Sequence, residues 1–480
     1  MNYLKKLIEI DLKNTTCSEK SYNRADELFS LLDKRIVEFI NNKETILLLI
    51  PGLLTGTSMP TASRMNIFII NESKSYFKSI STPFAQKLAS SDIGGLILKG
   101  QNEVGQLIIH IRESEINFFN ERELLELDTG EKIDRIRDLT ARDADVIGIG
   151  PLGEKGSPIS GIFNTYPYGK DPVYSVSNFA KTDVFSNAGL SAIAISDYPN
   201  FDNPVAKPIE FNKVRNKIAR YISASKITGQ IFPEYGSKVL INLMEDRDYI
   251  DEYPERLDCS GYISDYLINY NCTQGCMIGC LNRHNKYEND IYSSPQTSEI
   301  YHYYKKNKLD FDRDEIKAII KRLNELGCNP LEFHKKLFIN YKNKTEGLNK
   351  NLIDEIINEI ESNKSIPFDK LALDCDECFN YHKLDAGEIN IPGISFVDDT
   401  EFYEKLDMFL VLMDYLGLCF FSTFAILESP DSLAMLEGLA KYKTDDKNIV
   451  NKMLESKVYK LFSENDRSKL KYVIMNYFKN

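Results

Sequence analysis

The stretch Asn271-Cys272-Thr273-Gln274-Gly275-Cys276-Met277-Ile278-Gly279-Cys280 places three cysteines within nine positions of the chain. Thiolates at such short intervals can converge on one soft metal centre. A cubane iron-sulfur cluster normally takes four thiolates, so the triplet is incomplete by itself. The spacing predicts that Cys272, Cys276 and Cys280 are metal ligands, and the plainer alternative is a set of three buried apolar cysteines.

A candidate for the missing ligand lies far downstream, where Cys419 occurs in the stretch 413–421. Another pair, Cys375 and Cys378, keeps a zinc site open as an alternative, although an unliganded pair is the simpler interpretation. The chain has nine cysteines, an odd number, and no secretory signal. In a chain of this length, free thiols or metal ligands are therefore favoured over a disulfide framework.

The composition is typical of a globular protein with a sizeable core. Of the 480 residues, 42% are hydrophobic and 27% are charged. The net charge of -12 argues against a nucleic-acid partner, because such a partner requires a basic surface. No stretch approaches the roughly 18 apolar residues that a membrane helix needs, and the opening MNYLKKLIEIDLK does not resemble a signal peptide. We therefore expect a cytoplasmic location and no membrane partner.

Short apolar runs predict that roughly the first 200 residues are rich in strands. The runs lie at 7–12, 66–70, 95–98, 106–111 and 191–195, and a helix is predicted near 25–41. From about residue 213 the pattern becomes helical. Residues 312–326 give the clearest case, because their apolar side chains share one helical face and Gly327 follows as a stop. Further helices are predicted near 348–362, 402–426, 431–441, 447–462 and 466–478, and no internal repeat is visible.

At Cys419 the sequence resembles the tungsten-containing aldehyde ferredoxin oxidoreductase family. That family has a cysteine triplet and a distant D-x-x-G-L-C motif, which Asp414-x-x-Gly417-Leu418-Cys419 matches in full. The resemblance implies a [4Fe-4S] cluster with these ligands: Cys272, Cys276, Cys280 and Cys419. One departure affects the ligand set, because Cys272 lies four positions before Cys276 where the family has three.

A second segment, PGLLTGTSMPTASR at 51–64, resembles the family segment that lies against a pterin cofactor. Backbone N–H groups in its turns and an arginine suit an anionic pterin phosphate. Stretches at 92–100, 147–154 and 187–195 follow in the family's order. The resemblance implies contacts to a tungstopterin or molybdopterin for these residues: Arg64, Gly56, Thr57, Asn324, Gly327, Asn329, Asp414, Gly417 and Leu418.

The resemblance also implies an α+β fold. A β-rich cofactor-binding domain (1–205) is followed by a helical domain with the cysteine triplet (206–345) and a helical C-terminal domain with the D-x-x-G-L-C motif (346–480). The chain is shorter than typical family members.

The departures from the family pattern are concentrated in the segments that are expected to bind the cofactor or to carry catalytic residues. The glycine-rich loop after the first signature is replaced by 81–86, and a second glycine-rich run by 179–185. Bulky residues hinder the close approach of backbone to phosphate. The family's first D-x-x-G-x-D motif becomes Asn324-x-x-Gly327-x-Asn329, which loses carboxylate charge. Gln296 stands near the family's glutamate and cannot act as a general base, and Glu299 is the nearest acid.

Two functions follow as hypotheses. The first is oxidation of an aldehyde to a carboxylate at a tungsten or molybdenum pterin centre, with electrons passing through the cluster to ferredoxin. The second is a degenerate paralogue without the metallopterin, acting as an iron-sulfur electron-transfer or interaction subunit. The resemblance is also compatible with a homodimer. The sequence leaves open the substrate, the choice of metal, the general acid or base, the oligomeric state, and the roles of Cys375, Cys378 and His382.

Overall fold

The first six strands form one mixed sheet. In this computed structural model the described residues are 5–71, 75–113, 115–166, 174–176, 182–235, 267–284, 291–293, 311, 313–341, 349–362, 389–457 and 467–478. The elements of the first half are β1 (Lys5–Asp11), β2 (Thr16–Tyr22), α1 (Ala25–Asn41), β3 (Ile46–Pro51), β4 (Arg64–Ile70), β5 (Ser75–Ser81), α2 (Pro83–Ser90) and β6 (Ile93–Lys99). The strand order is β2-β1-β6-β3-β4-β5.

The next six strands form a second sheet. Its elements are β7 (Leu107–Arg112), β8 (Glu115–Asn120), a short 3-10 helix (Arg122–Glu126), α3 (Thr129–Leu139), β9 (Asp145–Ile149), α4 (Pro151–Glu154), β10 (Ile162–Thr165), β11 (Tyr174–Val176), α5 (Asp183–Asn187) and β12 (Leu190–Ser196). The strand order is β11-β10-β9-β12-β7-β8.

The two sheets repeat one another element by element. Strands β1 and β6 pair in parallel, as do β7 and β12, while the remaining pairs in both sheets are antiparallel. Helices α1 and α3 occupy the same place in the chain order, and so do α2 and α5. The expectation of no internal repeat was therefore wrong for the fold. The repeat lies in backbone pairing, which differing side chains in the two halves can satisfy equally well.

The two sheets pack face to face, because alternate apolar residues of both enter one core. That core contains, among others, Ile8, Ile10, Leu47, Leu49 and Ile67 of the first sheet and Ile109, Ile147, Ile149, Ile193 and Ile195 of the second. The other face of the first sheet is covered by α1 and by C-terminal helices. The other face of the second sheet is covered by α3.

A small three-stranded sheet interrupts the helical half. It contains β13 (Leu267–Tyr270), β14 (Leu281–His284) and β15 (Ile291–Ser293) in antiparallel pairing. The cysteine triplet lies in the loop that joins β13 to β14. The sequence analysis predicted no strands here, because each run is only three or four residues long and shows no sustained alternation.

The remaining described elements are helices. They are α6 (Pro208–Ala224), a π-helical turn (Ile227–Ile231), α7 (Phe232–Tyr235), α8 (Arg313–Glu325), α9 (Pro330–Tyr341), α10 (Lys350–Glu361), α11 (Asp399–Leu416), α12 (Ser422–Leu427), α13 (Ser432–Thr444), α14 (Ile449–Glu455) and α15 (Ser468–Phe478). The predicted α+β architecture is confirmed, as are the helices at 25–41 and 312–326. The helix predicted at 402–426 is instead two helices, because the chain turns at Gly417.

The helices divide between the two halves of the sandwich. Helices α8 to α10 pack on the loop between β9 and β10 through Leu152 and Ile159. Helices α6 and α11 to α15 join the core on the outer face of the first sheet. No described helix has both the length and the apolar character of a bilayer span.

Candidate metal centre

The D-x-x-G-L-C segment and the loop after β3 are joined by backbone hydrogen bonds. They run from Leu53 N–H to Tyr415 C=O (2.9 Å), from Leu54 N–H to Leu416 C=O (2.9 Å), from Ser63 and Arg64 N–H to Gly417 C=O (both 3.1 Å), and from Cys419 N–H to Thr61 C=O (3.0 Å). The two segments that resemble one family therefore form one structural unit. Because the backbone of Cys419 is bonded directly to this loop, its thiol has a fixed position.

Two glycines permit this close contact. Gly417 ends α11 in a left-handed conformation with φ of 76°, which side chains with a Cβ disfavour. A Cβ at Gly417 would lie 2.3 Å from Thr55 Oγ1, and one at Gly52 would lie 2.1 Å from the Gly417 Cα. Both distances are far below van der Waals contact. Gly417 therefore acts here through backbone packing.

The four candidate ligand cysteines come together beside this unit. Cys272, Cys276 and Cys280 lie in the β13–β14 loop, and Cys419 follows α11. The sulfurs are close enough for their charges to interact: the pKa of Cys276 responds to all three others, and that of Cys280 to Cys419 and Cys272. All four are free thiols that are at least partly buried.

Hydrogen bonding and burial shift the pKa values of the four thiols in different directions. A hydrogen bond with Cys276 lowers the pKa of Cys272 to about 6 despite burial, and Ser81 contributes in the same direction. That hydrogen bond raises the pKa of Cys276, and burial raises the pKa of both Cys280 and Cys419. A bound metal centre would supply the positive charge that these buried thiols need in order to ionise.

This donor set fits an iron-sulfur cluster. Four cysteine sulfurs are the usual ligands of a [4Fe-4S] centre. Within the described ranges, no three His, Cys, Asp or Glu side chains converge as the ligands of a single ion would. Zinc ligands surround one point at Zn–S distances of about 2.3 Å, whereas a cluster of four irons and four sulfides occupies a larger space.

Arg64 is the first residue of β4 and lies near the cysteines. Its Nε donates to Ser79 Oγ (2.8 Å), a second bond goes to the Ser79 carbonyl, and its guanidinium lies 5.3 Å from the centre of the Phe420 ring. The positive charge favours the thiolate forms of Cys272 and Cys419 by lowering their pKa values. Arg64 thus supplies the nearby positive charge that stabilises bound thiolates.

Gly56 and Thr57 form the turn between β3 and β4. The Thr57 hydroxyl donates to the Leu54 carbonyl (2.6 Å), and a Cβ at Gly56 would lie 2.9 Å from Ser90 Oγ of α2. Both residues therefore shape the loop against α2. Leu418 is buried and pairs with Ala62 through an isolated β-bridge.

The second half builds the same unit, and among the described residues Asn329 occupies the position of Cys419. Leu152 N–H donates to Leu326 C=O (3.0 Å), Gly161 N–H to Gly327 C=O (3.1 Å), and Asn329 N–H to Ile159 C=O (2.8 Å). A Cβ at Gly327 would lie 2.5 Å from the Gly150 Cα, in the manner of Gly417 and Gly52. By this pairing, Asn324, Gly327 and Asn329 correspond to Asp414, Gly417 and Cys419.

The polar groups assigned to a pterin are bonded within the protein. The Asp414 carboxylate accepts from Arg467 (2.8 Å), which the sequence analysis did not single out. The Asn329 side chain accepts from Glu332 N–H (2.9 Å) and so caps α9, while the Asn324 carbonyl accepts from Gly327 N–H (2.9 Å). The Asp414 carboxylate and the Asn329 side chain therefore already have partners within the protein.

Helix α2 now occupies the position of the family's first glycine-rich loop. Thr82 caps it by accepting from Phe84 N–H (3.3 Å), and the Gln86 amide donates to the Gln274 carbonyl (2.9 Å). The helix therefore supports the cysteine loop. Other residues named from the sequence lie outside the described residues: positions 179–181, Gln296, Glu299, Cys375, Cys378 and His382.

Comparisons with known proteins agree with this architecture. Residues 8–197 match the model of the aldehyde ferredoxin oxidoreductase N-terminal domain. The tungsten-containing aldehyde ferredoxin oxidoreductase of Thermococcus kodakarensis is 25% identical over 254 residues, covering 49% of this chain and 40% of the relative. The Pyrococcus furiosus enzyme of the same name is 23% identical over 251 residues, with the same coverage. The matched region thus spans two fifths of these relatives.

A solved structure has the same fold. The active site complex BamBC of benzoyl coenzyme A reductase, solved with 1,5-dienoyl-CoA, superposes with a TM-score of 0.67 at 14% identity, covering 99% of this chain and 91% of that one. This likeness indicates that the two chains share one overall fold. Residues 8–197 are thus similar to the N-terminal domain of the aldehyde ferredoxin oxidoreductase family, and the two relatives are oxidoreductases by name.

Proposed function

We propose that this chain is an iron-sulfur electron-transfer protein of that family. A [4Fe-4S] cluster would be held by Cys272, Cys276, Cys280 and Cys419. The observation that supports the proposal is the meeting of four interacting thiols from two segments that lie far apart in the sequence. Such a cluster takes up and releases single electrons.

The surrounding residues would fix the cluster and limit its contact with water. The backbone of Cys419 is bonded to Thr61, which orients one ligand relative to the first sheet. Ile278 and Phe421 are buried beside the ligands and exclude solvent on the protein side. Cys276 is partly exposed, so the β13–β14 loop offers the nearest route by which an external electron carrier could reach the cluster.

Metal analysis tests this function. The chain is purified without oxygen, and iron, acid-labile sulfide, zinc, tungsten and molybdenum are measured per chain. We expect a brown protein with iron and sulfide in the stoichiometry of one [4Fe-4S] cluster. The Cys17→Ser variant is the control, because Cys17 is exposed and lies on β2 outside the cysteine group. Zinc in place of iron, or no metal, would contradict the proposal.

Aldehyde oxidation at a tungstopterin or molybdopterin, with ferredoxin as the acceptor, is the second candidate function. It is favoured by the match of residues 8–197 to the family's N-terminal domain. The ion pair of Asp414 with Arg467 speaks against it, because it gives this carboxylate a role that needs no pterin. Tungsten or molybdenum with aldehyde-dependent viologen reduction would establish it. Iron and sulfide alone would leave the electron-transfer function.

A further inference from the structure

A pair of serine hydroxyls lies beneath one cluster ligand. Ser81 Oγ is 3.5 Å from Cys272 Sγ, within hydrogen-bond distance for sulfur. Ser63 Oγ forms a short hydrogen bond with the same Ser81 hydroxyl. Because the Ser63 hydroxyl can donate to Ser81, the Ser81 hydrogen is free to point at the sulfur.

The backbone holds these hydroxyls in place. Ser81 ends β5 and pairs with Arg64, the first residue of β4, so Ser63 and Ser81 lie side by side at the end of a hairpin. Thr82 N–H donates to the Ser63 carbonyl (3.1 Å) and closes this end. The Gln86–Gln274 hydrogen bond fixes the cysteine loop to α2 from the other side. The approach of Ser81 to Cys272 is therefore determined by secondary structure.

The second half contains another pair of buried hydroxyls near the corresponding junction. Ser160 Oγ and Thr182 Oγ1 form a short hydrogen bond, and both residues are fully buried. Thr182 precedes α5 as Thr82 precedes α2. The Ser160–Thr182 pair is formed by residues that align with Ala62 and Thr82, whereas in the first half the Ser63–Ser81 pair places one hydroxyl beside a thiol that we assign to the cluster.

We propose that Ser81 is a positioning residue whose O–H donates to the Cys272 thiolate and raises the reduction potential of the cluster. This inference rests on the proposed [4Fe-4S] site. Reduction adds one electron and hence one negative charge to the cluster and its sulfur ligands. A donor to a ligand sulfur stabilises the reduced form more than the oxidised form. The proton remains on the Ser81 oxygen, so no proton transfer accompanies the electron.

An EPR-monitored redox titration of the full chain, poised with dithionite and ferricyanide, tests this role. Ser81→Ala should keep its iron content and show a more negative midpoint potential than the parent. Ser81→Thr retains the hydroxyl and should restore the potential. Ser63→Ala removes the supporting donor and should shift the potential in the same direction by less. Ser160→Ala is the control, because it removes a buried, hydrogen-bonded hydroxyl in the second half, and it should leave the potential unchanged.

The outcomes separate this inference from the proposed function. An intact cluster with an unchanged potential in Ser81→Ala would overturn the role of Ser81 and leave the cluster assignment standing. An equal shift in Ser160→Ala would also overturn it, because the effect would then be a general consequence of losing a buried hydroxyl. A parent protein without iron and sulfide would overturn both.

Discussion

The two halves of the β-sandwich share one backbone plan and differ in the side chains placed on it. In each half a glycine after a helix packs on the loop that follows the third strand, and the same pattern of hydrogen bonds joins the two. Two residues beyond that glycine, the first half has Cys419 and the second half has Asn329. The same backbone arrangement thus carries a soft metal ligand in the first half and a helix-capping residue in the second half.

The difference extends to the charges around each unit. In the first half, Asp414 pairs with Arg467 and Arg64 faces the thiols. In the second half, Asn324 replaces the acid and Ile162 begins the strand that corresponds to β4. The two halves therefore differ in chemistry because a few residues differ on a repeated backbone. Variants at equivalent positions of the two halves can therefore separate chemical from structural roles.

The largest difference is expected in the iron content of variants at Cys419 and Cys328. Cys419→Ser should abolish the cluster, because a hydroxyl is a poor substitute for a thiolate on iron. Cys328 is buried in the equivalent motif and donates to the Ile159 carbonyl (3.4 Å), away from the cysteine group. Cys328→Ser should keep the cluster and lose about 1 kcal/mol of stability. Iron content and visible absorbance measure the contrast, and equal iron in both variants would contradict it.

The next effect concerns the two helix-ending glycines. Gly417→Ala and Gly327→Ala should each destabilise the fold by about 3 kcal/mol, because a Cβ adds left-handed strain and overlaps the facing loop. Urea unfolding of the metal-free protein gives the free energy change. In the anaerobic protein, only Gly417→Ala should also lose iron, since only that turn leads to a ligand. Unchanged stability in either variant would refute the interlocking of the segments.

The ion pair between Asp414 and Arg467 should contribute somewhat less to stability than the two glycines do. Asp414→Asn removes the carboxylate from Arg467, whose side chain is 5% exposed, and should destabilise the protein by about 2 kcal/mol. The control Asp407→Asn breaks the nearby pair of Asp407 on α11 with Lys471 on α15. Asp407 is 46% exposed, so we expect a loss below about 1 kcal/mol. If both variants lost the same free energy of unfolding in urea, burial of the Asp414–Arg467 pair would add nothing to its stabilising effect.

The smallest effect is expected from Arg64. Arg64→Gln removes a cation beside two ligand sulfurs and should lower the cluster potential by on the order of 40 mV, or about 1 kcal/mol for one electron. Lys87→Gln is a suitable control, because Lys87 pairs with Asp145 and lies on α2. If a redox titration gave an unchanged potential for Arg64→Gln, the charge of Arg64 would have no effect on the cluster.

Periodicity and local capping signals account for much of what could be predicted. The helix Ala25–Asn41 and the α+β class followed from side-chain patterns and family resemblance. Strand β2 did not, because six of its seven residues are exposed and polar or small. The interrupted helix near Gly417 was missed because flanking apolar runs on both sides hide a single turn. Pattern reading detects buried faces and therefore misses exposed strands and single-residue turns.

The site was predictable only in part. Cysteine spacing and the D-x-x-G-L-C motif predicted four sulfur ligands, and in the structure the pKa of Cys276 responds to the other three thiols. The partner of Asp414 was not predictable, because Arg467 is distant in sequence and carries no motif. The equivalence of Asn329 with Cys419 also required the fold, since the two hydrogen-bond patterns match while the sequences differ.

Native mass spectrometry of the anaerobically purified chain tests the central claim most directly. The account predicts one dominant species, whose mass is that of the polypeptide plus four irons and four sulfides, with no pterin. It also predicts that this added mass disappears in Cys419→Ser. A spectrum of bare polypeptide, or of polypeptide with zinc, would contradict the account.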